Sequence, residues 1–343
     1  MGSRFEGLDE SEVELHELNI LVVGCGGGGC NSITRLNQIG IEAATTVAIN
    51  TDQRSLKVTE CPNRLLIGAE YTKGLGTGGR PDVGEECALN ASVLLSKIFQ
   101  GVDLTFIITG LGGGTGTGAS PVVADIARRC GSMVITIATT PFSFEGATRR
   151  NIALKGLKRL RDASNSMLVL DNDRLLHMVE NIPVDQGLAV IDQLISELIK
   201  GTVDVLTLPS LINLDFADLR TIMEQGGVST ILYGENADPE AVVREAIENP
   251  LLDVDIRGGT GALIHIAGGS GLTMRRANRI IASITKVLDE DATIKFGVRM
   301  EEEMEGNIRM IAIITGISEM SGPFAPTFAP GDDLGKVLGK YSP

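Results

Sequence analysis

Two aspartates three residues apart, Asp215 and Asp218 in the hexad NLDFAD that begins at Asn213, are the side chains best suited to act on water. At i, i+3 on a helix both carboxylates share one face, close enough to hold a water molecule between them. A helix N-terminus also favours their ionised form. The same pair is equally suited to a plainer task, as helix cap and first-turn acid. The remaining chemistry is concentrated in glycines. GCGGGGC (Gly24 to Cys30) has G-x-G-x-x-G spacing at Gly24, Gly26 and Gly29, GLGTGGR spans Gly74 to Arg80, and GLGGGTGTG spans Gly110 to Gly118. Without Cβ atoms such turns bring backbone N–H groups close to phosphate at the positive end of a following helix. The candidates are Gly26, Gly27, Gly28 and Cys30 in the first loop and Gly76 in the second. In the third they are Gly110, Gly112, Gly113, Gly114, Thr115, Gly116, Thr117 and Gly118, where the two threonine hydroxyls can join the amides. Two cradles suit a polyphosphate, and the absence of a GKS or GKT triplet excludes a Walker-type site.

The elements that must carry these residues are short apolar runs alternating with stretches of helical period. Asn19–Val23, Thr45–Asn50, Arg64–Gly68, Asp103–Thr109, Ser132–Ala138 and Ser166–Leu170 read as six strands. Near-continuous apolar strands separated by helices imply a parallel sheet covered on both faces, an α/β doubly wound domain. In the order 3-2-1-4-5-6, strands 1 and 4 are neighbours at the switch point, so the first and third glycine loops open onto one crevice. Asp52 follows the second strand, where a dinucleotide fold places an acid for the ribose, so an oxidoreductase reading stays open at this point.

After Pro183 a long helical pattern carries Leu188, Ile191, Leu194, Ile195 and Leu198 on one face. Beyond Pro209 the order becomes strand, helix, strand, helix, strand, strand, ending in Asn307–Gly316, which predicts a smaller α+β domain with a mixed sheet. The division expected is an N-terminal arm over 1–18, a nucleotide-binding domain over 19–183, a central helix over 184–208, a second domain over 209–320 and a flexible tail over 321–343.

Composition removes several classes of function. Thirty Lys and Arg against 44 Asp and Glu give a net charge of −14, the wrong sign for nucleic acid or an anionic membrane. Cys25, Cys30, Cys61, Cys87 and Cys130 form no CxxC pair, and His16, His177 and His265 are far apart, so zinc and disulfide frameworks are not expected. The acidic N-terminus has no signal-peptide pattern and no apolar run reaches the roughly 18 residues of a membrane span, which predicts a reduced, cytoplasmic protein without membrane insertion.

GGGTGTG between a strand and a helix resembles the signature of the tubulin/FtsZ superfamily. GCGGGGCN (Gly24 to Asn31), AINTD (Ala48 to Asp52), GLGTGGRPDVGEE (Gly74 to Glu86), PFSFEG (Pro141 to Gly146) and NLDFAD follow in order, so the resemblance covers about Asn19 to Gly316. NLDFADLRTIM and NPLLDVDI (Asn249 to Ile256) are similar to the archaeal members of its prokaryotic cell-division branch. The resemblance implies GTP and GDP as ligands, with Glu145 and Arg149 at the ribose and nearby phosphate and Asn31, Asn172 and Asp192 around guanine. A carboxylate at Asp192 can accept guanine's adjacent N1–H and N2 amino donors, a pair adenine lacks. Leu188 departs from the Phe that many relatives stack on the base. The resemblance further implies head-to-tail stacking, with Asn213, Asp215 and Asp218 of one subunit completing the GTP site of the next, hydrolysis coupled to assembly, and Mg2+ bridging the phosphates without a nameable protein ligand. It places the protein at a mid-cell ring, with Phe324 and Phe328 of the tail available to a membrane-anchoring adaptor. A non-hydrolysing nucleotide-binding scaffold or cell-shape regulator is the alternative.

Overall fold

The computed structural model describes residues 18–174, 183–224, 228–248 and 255–317. The acidic arm with His16, the residue His177, all but the last two residues of NPLLDVDI, and the tail with Phe324 and Phe328 lie outside the described residues.

Six parallel strands form the first sheet: β1 (Ile20–Cys25), β2 (Thr45–Asn50), β3 (Asn63–Leu66), β4 (Leu104–Gly110), β5 (Met133–Thr140) and β6 (Ser166–Asp171). Their order is β3-β2-β1-β4-β5-β6, that of the doubly wound topology expected, and β1 pairs with β4 from Ile20 opposite Leu104 to Cys25 opposite Thr109. Every residue of β1 and β6 is buried, the pattern of strands covered on both faces. β3 stops two residues earlier than the apolar run, because Gly68 at φ +64° turns the chain into α3 (Ala69–Thr72). The other covering helices are α1 (Gly26–Ile39), α2 (Gln53–Val58), α4 (Pro81–Asn90), α5 (Ser92–Phe99), α6 (Thr115–Arg129) and α7 (Ala147–Ala163). Asp52 caps α2 by accepting from the N–H groups of Arg54 and Ser55, so the acid that kept the dinucleotide reading open is engaged in local structure.

The central helix, α8 (Val184–Thr207), has 24 residues and spans about 36 Å at 1.5 Å per residue. It buries Ile191, Ile195, Leu198 and Ile199, packing against α1 on one side and the second sheet on the other. A Cβ on Gly201 would lie 2.2 Å from Ile311 Cδ1, so α8 seats closely on that sheet and a larger residue there would make the end of the Ile311 side chain move. The second sheet contains β7 (Val228–Asn236), β8 (Gly261–Gly268), β9 (Thr293–Met300) and β10 (Ile308–Ile317) in the order β7-β10-β8-β9. β10 is antiparallel to both neighbours while β8 and β9 are parallel, which makes the sheet mixed, as expected. It carries α9 (Phe216–Met223), α10 (Pro239–Ile247) and α11 (Met274–Thr285).

His265 lies within β8 at 2% exposure, its Nε2 3.4 Å from Ser210 Oγ. Burial, reinforced by the positive charges of Arg299 and Arg309, pushes its imidazole down to about 4. An unfolded histidine titrates near 6.5. Between these values only the unfolded chain takes the proton, so this group's contribution to stability is complete above about pH 6.5 and is lost as pH falls toward 4, by up to about 3 kcal/mol. Urea unfolding of the parent and of His265→Gln near pH 7 and near pH 4.5 measures it. The parent is expected to lose more stability than the variant, and equal losses would refute the assignment.

Candidate nucleotide site and a remote acidic edge

The crevice between β1 and β4 is built by backbones that only glycine allows to meet. α1 begins at Gly26, immediately after the strand, and α6 begins at Thr115. A Cβ on Gly26, which has φ +74°, would lie 2.7 Å from Gly116 N, and one on Gly28 would lie 3.3 Å from Gly110 Cα. The N-cap positions of both helices, Cys25 and Gly114, supply no side-chain hydrogen bond. Two neighbouring helix N-termini therefore present their first-turn N–H groups to the same space, an arrangement that favours anions. The loop from Gly74 to Arg80 closes against them: a Cβ on Gly114 would lie 1.9 Å from Thr77 Oγ1, and the Gly76 N–H donates to Thr51 O at 3.2 Å. Gly27 and Gly113 border open space.

Several candidates here hold the scaffold. Thr117 Oγ1 accepts from the Gly112 N–H at 2.9 Å, fixing the turn, and Thr115 Oγ1 is hydrogen-bonded to Thr51 Oγ1 at 2.6 Å. A Cβ on Gly118 would lie 2.0 Å from Pro81 O, so this glycine lets α4 pack on α6. The Cys30 thiol is turned into the core, where Asn50 Nδ2 approaches its Sγ at 3.7 Å, and burial raises it to about 11; only its backbone belongs to the crevice.

Beside the loops a cleft is lined by Gly28, Asn31, Ser32, Ile108, Thr109, Gly110, Thr139, Asn172, Leu188, Ile191 and Asp192. Among the sequence candidates, Gly28, Asn31, Gly110, Asn172, Leu188 and Asp192 come together here. Ser32 and Thr109 were not foreseen. Ser32 donates from Oγ to Asp192 Oδ1, a contact between α1 and α8. Burial pushes the Asp192 carboxyl above the usual carboxylate range, outweighing the Ser32 bond and the positive charge of Arg35. Two buried acceptors in the cleft, Asn172 Oδ1 and Thr109 Oγ1, have no hydrogen-bond partner among the described residues. Such atoms cost about 1–3 kcal/mol each when left unmatched. A desolvated carboxylate and the apolar walls of Ile108, Leu188 and Ile191 fit a flat heterocycle with N–H donors on its edge. Glu145 and Arg149 lie outside this lining and pair with each other. The Phe142 N–H donates to Glu145 Oε1 at 2.9 Å, and a Cβ on Gly112 would lie 3.1 Å from Arg149 O, so the pair stands beside the GGGTGTG turn.

The acidic hexad is elsewhere. From Asp192 to Thr207 the axis of α8 runs about 22 Å before the chain reaches NLDFAD. Asp215 is the N-cap of α9 and forms a reciprocal box with Asp218: the Asp218 N–H donates to Asp215 Oδ1 at 2.8 Å and the Asp215 N–H to Asp218 Oδ2 at 3.2 Å. The two acids thus bond each other's backbone, the plainer of the two uses open to them. Asn213 Oδ1 accepts from the Ser210 N–H at 2.7 Å. Leu208, Leu211 and Ile212 are exposed beside them, as are Phe296 and Met300 on β9. Among the described residues no group of three or more His, Cys, Asp or Glu side chains could hold a metal ion, and no helix is long and apolar enough to cross a membrane.

Comparison with known proteins identifies the family and the fold. Residues 19–180 match the model of the tubulin/FtsZ family GTPase domain, and residues 227–318 that of the FtsZ family C-terminal domain. The chain is 45% identical to cell division protein FtsZ 2 of Haloferax volcanii, covering 92% of this chain and 80% of the relative. It is 46% identical to cell division protein FtsZ 2 of Methanocaldococcus jannaschii, covering 89% and 81%. A solved FtsZ dimer from M. jannaschii superposes with a TM-score of 0.81 at 42% identity, covering 87% of this chain and 88% of that one. CetZ2 of H. volcanii, at 20% identity and a TM-score of 0.76, shares the fold.

Proposed function

Since the chain belongs to the tubulin/FtsZ family, we propose that it is a cell-division GTPase that polymerises head to tail and hydrolyses GTP between subunits. The observation that carries this reading is the separation of the acidic pair from the nucleotide cleft by most of the length of α8. Carboxylates so placed cannot reach a nucleotide held by their own subunit, whereas an end-to-end contact brings the acids of one copy to the glycine loops of the next. Exposed apolar side chains at both ends, Tyr71 and Leu75 near the loops and Leu211 and Ile212 near the acids, supply surface for such a contact. A repeated heterologous contact does not close, and it produces filaments.

In this reading guanine lies in the cleft against Leu188, with its N1–H and N2 amino group donating to Asp192 and with Asn31 and Asn172 completing its edge. Glu145 and Arg149 face the ribose and adjoining phosphate. The first-turn amides of α1 and α6 hold the phosphates, with Gly76 and its loop at their end. The neighbour's Asp215, Asp218 and Asn213 orient the attacking water and hold charge near it, the kind of positioning that dominates phosphoryl transfer. Carboxylates are weak bases at neutral pH, so orientation outweighs proton removal. Magnesium fits as a counterion to the phosphates. The domain limits stay as read from the sequence, with 19–183 holding nucleotide and 209–320 carrying the acids. The mid-cell ring and an adaptor bound through the tail belong to this proposal.

Turnover per subunit should rise with protein concentration above a threshold, with filaments visible by electron microscopy in GTP and magnesium and absent in GDP. A rate per subunit independent of concentration would refute the shared site. Filaments that release no phosphate would favour the non-hydrolysing scaffold, which the engagement of both acids in a helix cap makes the second reading.

A further inference from the structure

We propose that Lys295 is a positioning residue for hydrolysis, fixing the acidic pair that one subunit offers to the nucleotide of the next. The inference rests on the shared-site reading above and deepens it.

The hexad takes its place from β9. The Leu211 N–H donates to Val298 O at 2.8 Å, the Ile212 N–H to the same oxygen at 3.2 Å, and the Val298 N–H returns a bond to Ile212 O at 3.1 Å. Leu214 is buried over Gly297, where a Cβ would lie 2.9 Å from Leu214 Cγ and from Ile212 O. The segment before the acids is therefore pinned to the edge strand of the second sheet. Two residues before Gly297, on the same face of the strand, Lys295 Nζ reaches Asp218 Oδ1 at 2.9 Å.

This contact distinguishes the two acids. Asp215 is exposed and, among the described residues, its side chain bonds through the capping box, whereas Asp218 is held from both sides, by the box and by the ammonium on β9. The charged groups acting on Asp218 are Lys295 from β9 and Asp215 from its own helix cap. Partial burial raises Asp218, but the Lys295 bond and the bonds with Asp215 outweigh it and hold the carboxyl below the usual range. Lys295 is raised in turn by Asp218. An exposed ion pair of this kind contributes little to stability. Its effect is on geometry and charge: the carboxylate stays ionised in one rotamer, and the edge that meets an incoming triphosphate carries one negative charge fewer than two bare acids would.

The test uses the full chain with GTP and magnesium, comparing Lys295→Met, Lys295→Arg and Asp218→Ala. Lys295→Met polymer should turn over on the order of tenfold more slowly per assembled subunit, the scale on which small misplacements act, with the acid limb of its rate profile moved to higher pH. Lys295→Arg should restore both. A second readout needs no assembly: in unpolymerised protein the carboxyl carbon of Asp218, followed by NMR, should titrate at higher pH in Lys295→Met than in the parent. Superimposable titrations, or Lys295→Met polymer with parental rate and profile, would overturn the inference. If Asp218→Ala is inactive while Lys295→Met is parental, only the role of Lys295 fails; if Asp218→Ala hydrolyses normally, the shared-site reading fails with it.

Discussion

Asp215→Asn should bind GTP and form filaments normally while its turnover falls by about a thousandfold, the scale of a lost positioned catalytic group. Asparagine is the informative choice because of what Asp215 does locally. As the N-cap of α9 it accepts from the Asp218 N–H, and asparagine caps helices about as well as aspartate, whereas alanine costs about 1 kcal/mol there. The substitution removes charge and leaves the cap, so a loss of turnover cannot be attributed to an unravelled helix. The nucleotide cleft, separated by most of α8, keeps every side chain that lines it. Mixing provides the sharper form of the test. Asp215→Asn retains its cleft and lacks the acid, whereas Asp192→Asn retains the acids and lacks guanine recognition. Each should be nearly inactive alone. Together they should recover phosphate release, because a junction then pairs an intact cleft with intact acids. A mixture no more active than the sum of its parts would mean that cleft and acids act within one chain, or that the acids do not act at all.

The sheet was legible because its strands are continuous apolar runs, which imply the parallel arrangement, and the doubly wound topology assumed for them places β1 beside β4. That order alone brings GCGGGGC and GLGGGTGTG to one crevice. What the runs could not show was where a glycine motif stops being loop: Thr115 to Gly118 already belong to α6, and Gly118 serves the packing of α4. The acids were ambiguous for a related reason. The spacing that suits catalysis also suits a capping box, and the structure has the box. Ser32 and Lys295 were invisible, since each acquires its meaning from a residue far along the chain, Asp192 across α1 and α8 and Asp218 across β9 and α9. Local pattern reports backbone and burial; polar partners between elements come only with the fold.

Guanine recognition gives the second large effect. Asp192→Asn should weaken GTP by roughly a thousandfold and leave weak ATP binding unchanged. A carboxylate can accept both donors on guanine's edge, whereas an amide offers one acceptor and turns its own NH2 toward the other donor. Two hydrogen bonds to a charged group at about 1.5–3 kcal/mol each set the scale. The near-isosteric replacement keeps an oxygen that can accept from Ser32 Oγ. Acidity supplies an independent check whose sign follows from the site. Burial raises Asp192 in the free protein, and guanine's donors favour the ionised form, so binding and protonation compete. Affinity is therefore full above the raised value of the free carboxyl and falls as pH drops through it, approaching tenfold per pH unit below it. This decline begins at higher pH than an ordinary aspartate would give. Titration of the triphosphate is common to both proteins and cancels in the ratio of parent to Asp192→Asn affinities. That ratio should shrink on acidification, toward the small difference between a neutral acid and an amide. A ratio constant across the range, or near unity at neutral pH, would remove Asp192 from the base.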